Sequence, residues 1–209
     1  MIATTPFDAR QLERYSRQIM LKGFGGRGQR RLREATIALR CRAPHGDAPG
    51  RLRGEAICDW VVAYLVAAGV GRLSIEREPR YPLGGRDDAR ALNDDCTIEL
   101  VPSAGTGRPN LLIDCLAAPL TPSLDASNRI LIGHTSCGGA LLWLEGAQAF
   151  DEHDLWPRVV DNDRRSPISL ALVLGARAAF EAIEHLSGQL LRARTTLYDG
   201  SNNQIVTLV

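Results

Sequence analysis

The stretch Glu13-Arg14-Tyr15-Ser16-Arg17-Gln18-Ile19-Met20-Leu21-Lys22-Gly23-Phe24-Gly25, continuing through Gly28 and Gln29 to Leu32, says more about the fold than any other part of the chain. Leu12, Tyr15, Ile19 and Met20 recur at helical spacing, which predicts a first helix through Leu21 with Thr5 or Asp8 as its cap. A second short helix, Gly28–Glu34, is basic and expected to be exposed. Gly23, Gly25 and Gly28 spell G-x-G-x-x-G, but that spacing holds a pyrophosphate only where it joins a strand to a helix N-terminus. Gly23 follows an amphipathic helix instead, so these glycines read as a bend in the chain.

Beyond Glu34 the pattern alternates between short apolar runs and longer helical stripes. Thr36–Cys41 reads as a buried parallel strand, and Glu55–Ala68 as a helix whose apolar stripe is Ile57, Trp60, Val61, Tyr64, Leu65 and Ala68, stopped by Gly69. Leu73–Glu76, Thr97–Val101, Asn110–Asp114, Arg129–Gly133 and Ala140–Leu144 are further strands. Phe150–Ser166 is a polar connection, and Pro167–Leu186 a long helix ended by Gly188. Thr195–Asp199 and Gln204–Leu208 flank the turn residues Gly200–Asn203 and read as a hairpin. The expected fold is α/β: a Rossmann-like, mostly parallel sheet with helices on both faces and a C-terminal antiparallel hairpin. One domain is expected over 1–209, with a helical segment at 1–34 and an α/β core at 35–209.

Composition narrows the function. The 209 residues are 44% hydrophobic, enough for one substantial core. Lysine and arginine number 25 against 24 acidic residues, so no global field draws the chain to nucleic acid or to an anionic membrane. Five scattered cysteines, never paired as C-x-x-C, argue against a disulfide framework or a zinc clasp and fit a reduced, cytoplasmic setting. No signal core or membrane-length apolar run is evident, so a soluble protein is expected.

The opening stretch, with Ala67-Ala68-Gly69-Val70-Gly71 and the following Arg72-Leu73-Ser74-Ile75-Glu76, resembles the adenylyltransferases that activate ubiquitin-like and sulfur-carrier proteins, the ThiF/MoeB/HesA family. The resemblance is strong over Arg14–Leu73 outside one loop and weak beyond. It implies a glycine-rich nucleotide loop after the first strand, and the chain departs from it there. It reads Arg42-Ala43-Pro44-His45-Gly46-Asp47-Ala48-Pro49-Gly50-Arg51-Leu52-Arg53, in which Pro44 and Pro49 remove two N–H donors. Arg42, Arg51 and Arg53 remain to attract an anion, although a solvated surface loop is the plainer reading.

Further departures follow along the implied site. Glu76 is the nearest counterpart of the carboxylate that holds the ribose hydroxyls, while Arg80 and Arg86 stand in a segment that does not match the family's phosphate-binding arginine. Lys22 is the chain's one lysine, so the family's phosphate-binding lysine has no counterpart. Asp114-Cys115-Leu116-Ala117-Ala118 keeps the aspartate and cysteine of a family signature but has Ala117 where the magnesium ligand belongs. Cys137, close to His134, reads as a structural cysteine, and His153 beside Asp151, Glu152 and Asp154 as a solvated loop. Arg17 is the exception, since the resemblance implies an arginine that reaches into a partner's ATP site, with packing of the N-terminal helix as the equal alternative.

The resemblance thus implies a non-catalytic relative with neither cofactor nor metal. It would act as a homodimer or beside an active homologue, with a small ubiquitin-like carrier protein or peptide as a further partner. The alternative is an active adenylyltransferase that binds ATP and magnesium in a rebuilt pocket, for which Glu76, Arg42, Arg51, Arg53 and Asp114 are the candidate ligands. A dehydrogenase-like binder of another nucleotide is disfavoured by the same missing loop.

Overall fold

A computed structural model of the protein describes residues 6–41, 48–77, 86–101, 109–116, 128–134, 138–145, 168–189, 195–199 and 204–208. Their order is α1 (Ala9–Ile19), α2 (Gly25–Glu34), β1 (Thr36–Cys41), α3 (Ala48–Ala68), β2 (Arg72–Arg77), α4 (Arg86–Leu92) and β3 (Thr97–Val101). There follow β4 (Leu111–Leu116), β5 (Asn128–His134), β6 (Gly138–Glu145), α5 (Ile168–Ser187), β7 (Thr195–Asp199) and β8 (Gln204–Leu208). The strands form one sheet in the order β3-β2-β1-β4-β5-β6-β7-β8. The first five are parallel and the last three antiparallel, as the Rossmann-like reading requires. No helix among the described residues is long and apolar enough to cross a membrane.

Strand parity divides the sheet. Ile37, Leu39, Leu73, Ile75, Leu111, Ile113, Ile130 and Ile132 project to one face, where they join Ile57, Val61 and Leu65 of α3 and Leu174, Ala178 and Ala182 of α5 in the main core. Each large apolar side chain among them contributes roughly 1.5–3 kcal/mol on burial. The helices approach so closely at Gly175 that a Cβ there would lie 2.7 Å from Trp60 Cβ and 2.9 Å from the Ile57 carbonyl oxygen. Trp60 and Tyr64, counted in the apolar stripe, lie instead on the half-exposed side of α3, their rings 6.0 Å apart. The opposite face of the sheet carries Ala38 and Leu112, which form a small cluster of their own.

Asp8, not Thr5, caps α1: its side chain accepts from the Gln11 N–H at 2.8 Å, and Gln11 Oε1 accepts from the Asp8 N–H at 3.3 Å. The bend expected at the glycines is present, with Gly23 and Gly25 at φ 85° and 61°. Two departures from expectation have local causes. The helix α3 starts at Ala48 rather than near Glu55, because Pro49 in a first turn gives up an N–H that would have had no helical partner. The seven-residue α4 is too short to show a period. Cys58 is disulfide-bonded, against the expectation of reduced thiols. Cys96 and Cys115 are free and buried, and burial pushes the Cys96 thiol up to about 11.

The opening motif is consumed in joining the N-terminal helices to the core. Arg14 donates to Asn93, to Asp94 at 3.0 Å and to Asp95 at 3.3 Å. Asn93, wholly buried, donates to the Tyr15 hydroxyl at 2.8 Å and to the Val66 carbonyl at 2.9 Å. Gln29 donates to the Ala68 carbonyl at 2.8 Å. Gly69 sits beneath this cluster at φ 89°, and a Cβ there would lie 2.6 Å from both Gln29 Nε2 and Tyr15 Cε1. The glycine that ends α3 is thus required both by backbone conformation and by the tyrosine packed on it.

Gly69→Ala should cost about 1–3 kcal/mol from overpacking, with left-handed strain in addition, seen as a lowered urea midpoint at unchanged slope. Asp94 should link this contact to pH, because hydrogen bonds from Arg14 and then Arg10 hold its carboxyl below the ordinary aspartate value. The depressed group stabilises the fold at neutral pH, and that contribution fades as pH falls through its folded-state value. Asp94→Asn should flatten this acid-range part of the stability profile while leaving the rest.

Candidate functional site

In a parallel sheet of this order the chain steps outward in opposite directions from β1 and β4, and the crevice beyond their C-terminal ends is where such folds bind ligands. Arg40 stands one residue from the end of β1, as the register partner of both Glu76 on β2 and Asp114 on β4. All three therefore share the face of Ala38 and Leu112. Arg40 Nε lies 2.9 Å from Glu76 Oε2, and Nη1 lies 3.2 Å from Asp114 Oδ2. The arginine is 4% exposed and the aspartate equally buried, while Glu76 is half-buried, so the triad runs from the interior to the rim of the sheet. A buried charge is tolerated only with a hydrogen-bonded counter-charge, and the two carboxylates supply it to Arg40.

Sequence reasoning does not single out Arg40, since it lies inside an apolar run read as a strand. The available signal is the charge itself. An arginine in a strand buried on both faces needs a carboxylate beside it, and the two neighbouring runs end in Glu76 and Asp114. These two candidates are thus brought together, by a residue not among the candidates. Arg51 and Arg53, expected in a loop, lie inside α3 because the helix starts early, and their side chains fall outside the described residues, as does Arg42. Ala117, Arg80, Cys137 and His153 also fall outside them, and Arg86 opens α4. Arg17 is exposed on α1, far along the chain from the triad.

A nucleotide bound here would need a carboxylate free to accept from its ribose hydroxyls. Glu76 and Asp114 are engaged with Arg40, whose guanidinium lies between the strand ends. Among the described residues there is no group of three His, Cys, Asp or Glu able to hold a metal ion. The Cys115 thiol, next to this row, is pushed well up by burial and then by the charge of Asp114, which is the opposite of an activated nucleophile.

The triad predicts a specific mutational pattern. Arg40→Ala removes the guanidinium that the buried Asp114 and the half-buried Glu76 share and should cost about 3–5 kcal/mol in urea unfolding. Combining it with Glu76→Gln and Asp114→Asn should return much of that loss, because the penalty comes from uncompensated charge rather than from lost packing.

No family model matches the chain. It is 43% identical over 95 residues to a HesA protein of Trichormus variabilis, described as the heterocyst form; this match covers 46% of the chain and 30% of the relative, so the chain aligns with less than a third of that protein. Among solved structures, it superposes on E. coli MccB with ATP at a TM-score of 0.63 and 11% identity, covering 93% of this chain and 70% of that one. It superposes on PaaA at 0.61 and 12% identity, covering 100% and 76%. The structural likeness shows a shared fold, and the sequence match is a similarity to HesA proteins over less than half of the chain.

Proposed function

Starting from a chain related to the HesA proteins, of the ThiF/MoeB kind, and sharing its fold with MccB and PaaA, we propose that it acts as a non-catalytic partner subunit within an activating-enzyme system. The observation that carries this reading is Arg40 bonded to Glu76 and Asp114 at the mouth of the sheet. Adenylate formation requires positive groups and a metal placed against developing phosphate charge. In this chain Arg40, at the end of β1, answers two carboxylates of its own. Ala117 in place of a metal-binding aspartate points the same way.

Arg17 supports the partner half of the proposal. It is exposed on α1 and makes no ion pair among the described residues, which leaves it available to a neighbouring subunit. Arg14, three residues earlier, is held by Asn93, Asp94 and Asp95 and so belongs to the fold. If Arg17 reaches a partner's phosphates, Arg17→Ala should leave the complex intact and slow the partner's adenylation by about 10³–10⁵.

The central test is nucleotide binding. Calorimetry with Mg-ATP should give no measurable heat, and the purified chain should not exchange pyrophosphate into ATP, alone or with a small carrier protein. Binding in the low micromolar range, about −8 kcal/mol, would overturn the reading and favour an active adenylyltransferase with a rebuilt pocket.

A further inference from the structure

Of the five cysteines, Cys96 and Cys115 are free and Cys58 is disulfide-bonded, so its partner is Cys41 or Cys137. Cys137 and the side chain of Cys41 lie outside the described residues, but the strands that carry them are described, and the sheet order sets the two apart. β6, which Cys137 directly precedes in sequence, is separated from β1 by β4 and β5. Three steps of about 4.8 Å put roughly 14 Å between β1 and β6. Cys58 lies in the core on α3, 1% exposed, and α3 packs over β1 and β4. β6 lies under α5 instead, where a Cβ on Gly139 would come 2.4 Å from Leu174 Cδ1. A disulfide spans at most about 7 Å between Cα atoms, which favours the strand directly beneath α3.

Height along the sheet agrees. α3 ends at Ala68, close to the edge where Arg72 opens β2 in register with Thr36 of β1. Cys58 stands ten residues back from Ala68, about 15 Å of helix. Cys41 stands five residues on from Thr36, about 16 Å of strand. Cys41 also shares strand parity with Ile37 and Leu39, on the face that α3 covers, and its register partner Cys115 lies in that same core. Burial pushes the Cys115 thiol well up, so it stays protonated and does not attack a neighbouring bond. We propose that Cys58 is bonded to Cys41 and that this bond is a redox latch: oxidised, it ties the crevice end of β1 to α3 and closes residues 42–57 into a ring; reduced, it lets strand and helix separate. Closure passes one hydrogen from each thiol to a low-molecular-weight disulfide such as oxidised glutathione, which leaves as two thiols, and dithiothreitol reverses the step as it becomes a cyclic disulfide. The ring encloses the segment that stands where the resemblance implies a nucleotide loop, and the latch does not depend on whether that segment binds nucleotide.

A tryptic map tests the pairing. The chain oxidised with glutathione disulfide, then denatured and alkylated with iodoacetamide before any reduction, should yield Cys41-Arg42 joined to Gly54–Arg72. A junction to Ile130–Arg158, which holds Cys137, overturns the proposal, and so does alkylated Cys58. Hydrogen exchange on the native protein reads the latch itself: dithiothreitol should speed exchange in β1 and α3 and leave β5 and β6 unchanged, and equal protection of β1 and α3 before and after reduction overturns it. Reduction should also lower the folding equilibrium about a hundredfold, the loop-closure effect for a ring near this size. Cys41→Ser should show the reduced protein's urea midpoint from the start and no response to dithiothreitol, whereas Cys137→Ser should keep the wild-type response. A Cys41→Ser variant that still loses stability on reduction sinks the assignment, and the peptide map and the exchange measurement, made on wild type, decide the matter even where a variant fails to fold.

Discussion

A guanidinium withdrawn from water must find its counter-charge within hydrogen-bond reach, and for Arg40 two carboxylates on two other strands meet that need. Much follows from that requirement. It holds β1 in register with β2 and β4 at the end where the sheet opens. A slip of one residue would turn Arg40 into the apolar core and carry Leu39 to the opposite face, away from the layer it fills. The same requirement places an arginine and two carboxylates in one row at the crevice end of the sheet.

The motif that first marks the chain has a different physical role from the one its position suggests. Tyr15, Gln29, Gly69 and Asn93 lie far apart in sequence and meet in one buried contact, where the amide N–H groups of Gln29 and Asn93 pair with the Tyr15 hydroxyl and two carbonyls at the end of α3. That contact attaches the N-terminal helices to the sheet domain with few buried apolar side chains from α1 itself, where Tyr15 is the large one. Gly71 tightens the same joint, since a Cβ there would meet the Arg33 carbonyl oxygen at 1.9 Å. Kinship at these positions therefore reports on a scaffold. Whether chemistry accompanies the scaffold is decided elsewhere, at the strand ends.

Most of the sheet is legible in the sequence because buried strands are written as short apolar runs, and those runs fall at Thr36–Cys41, Thr97–Val101 and Asn110–Asp114, close to the observed elements. Helix ends are less so. Pro49 reads as a loop residue and is a first-turn residue, and α4 offers too few residues for a period to show. Of the candidate site, Glu76 and Asp114 are found through their places at strand ends, but their counter-charge is hidden in a run that the pattern treats as uniformly apolar. Pairings across sequence distance, such as those of Arg40, leave no local trace.

The triad also bears on how the chain reaches its native state. Arg40 is 36 residues from Glu76 and 74 from Asp114, so neither carboxylate can be supplied by local structure. Until β2 and β4 have both docked, burying β1 strands a cation in a dry interior, and a half-assembled sheet keeps that edge hydrated. Parallel pairing over such separations already belongs to the slow end of folding topologies. The charge adds a proofreading step, in that a collapsed chain with β1 beside the wrong neighbour is penalised electrostatically before its hydrophobic contacts can trap it.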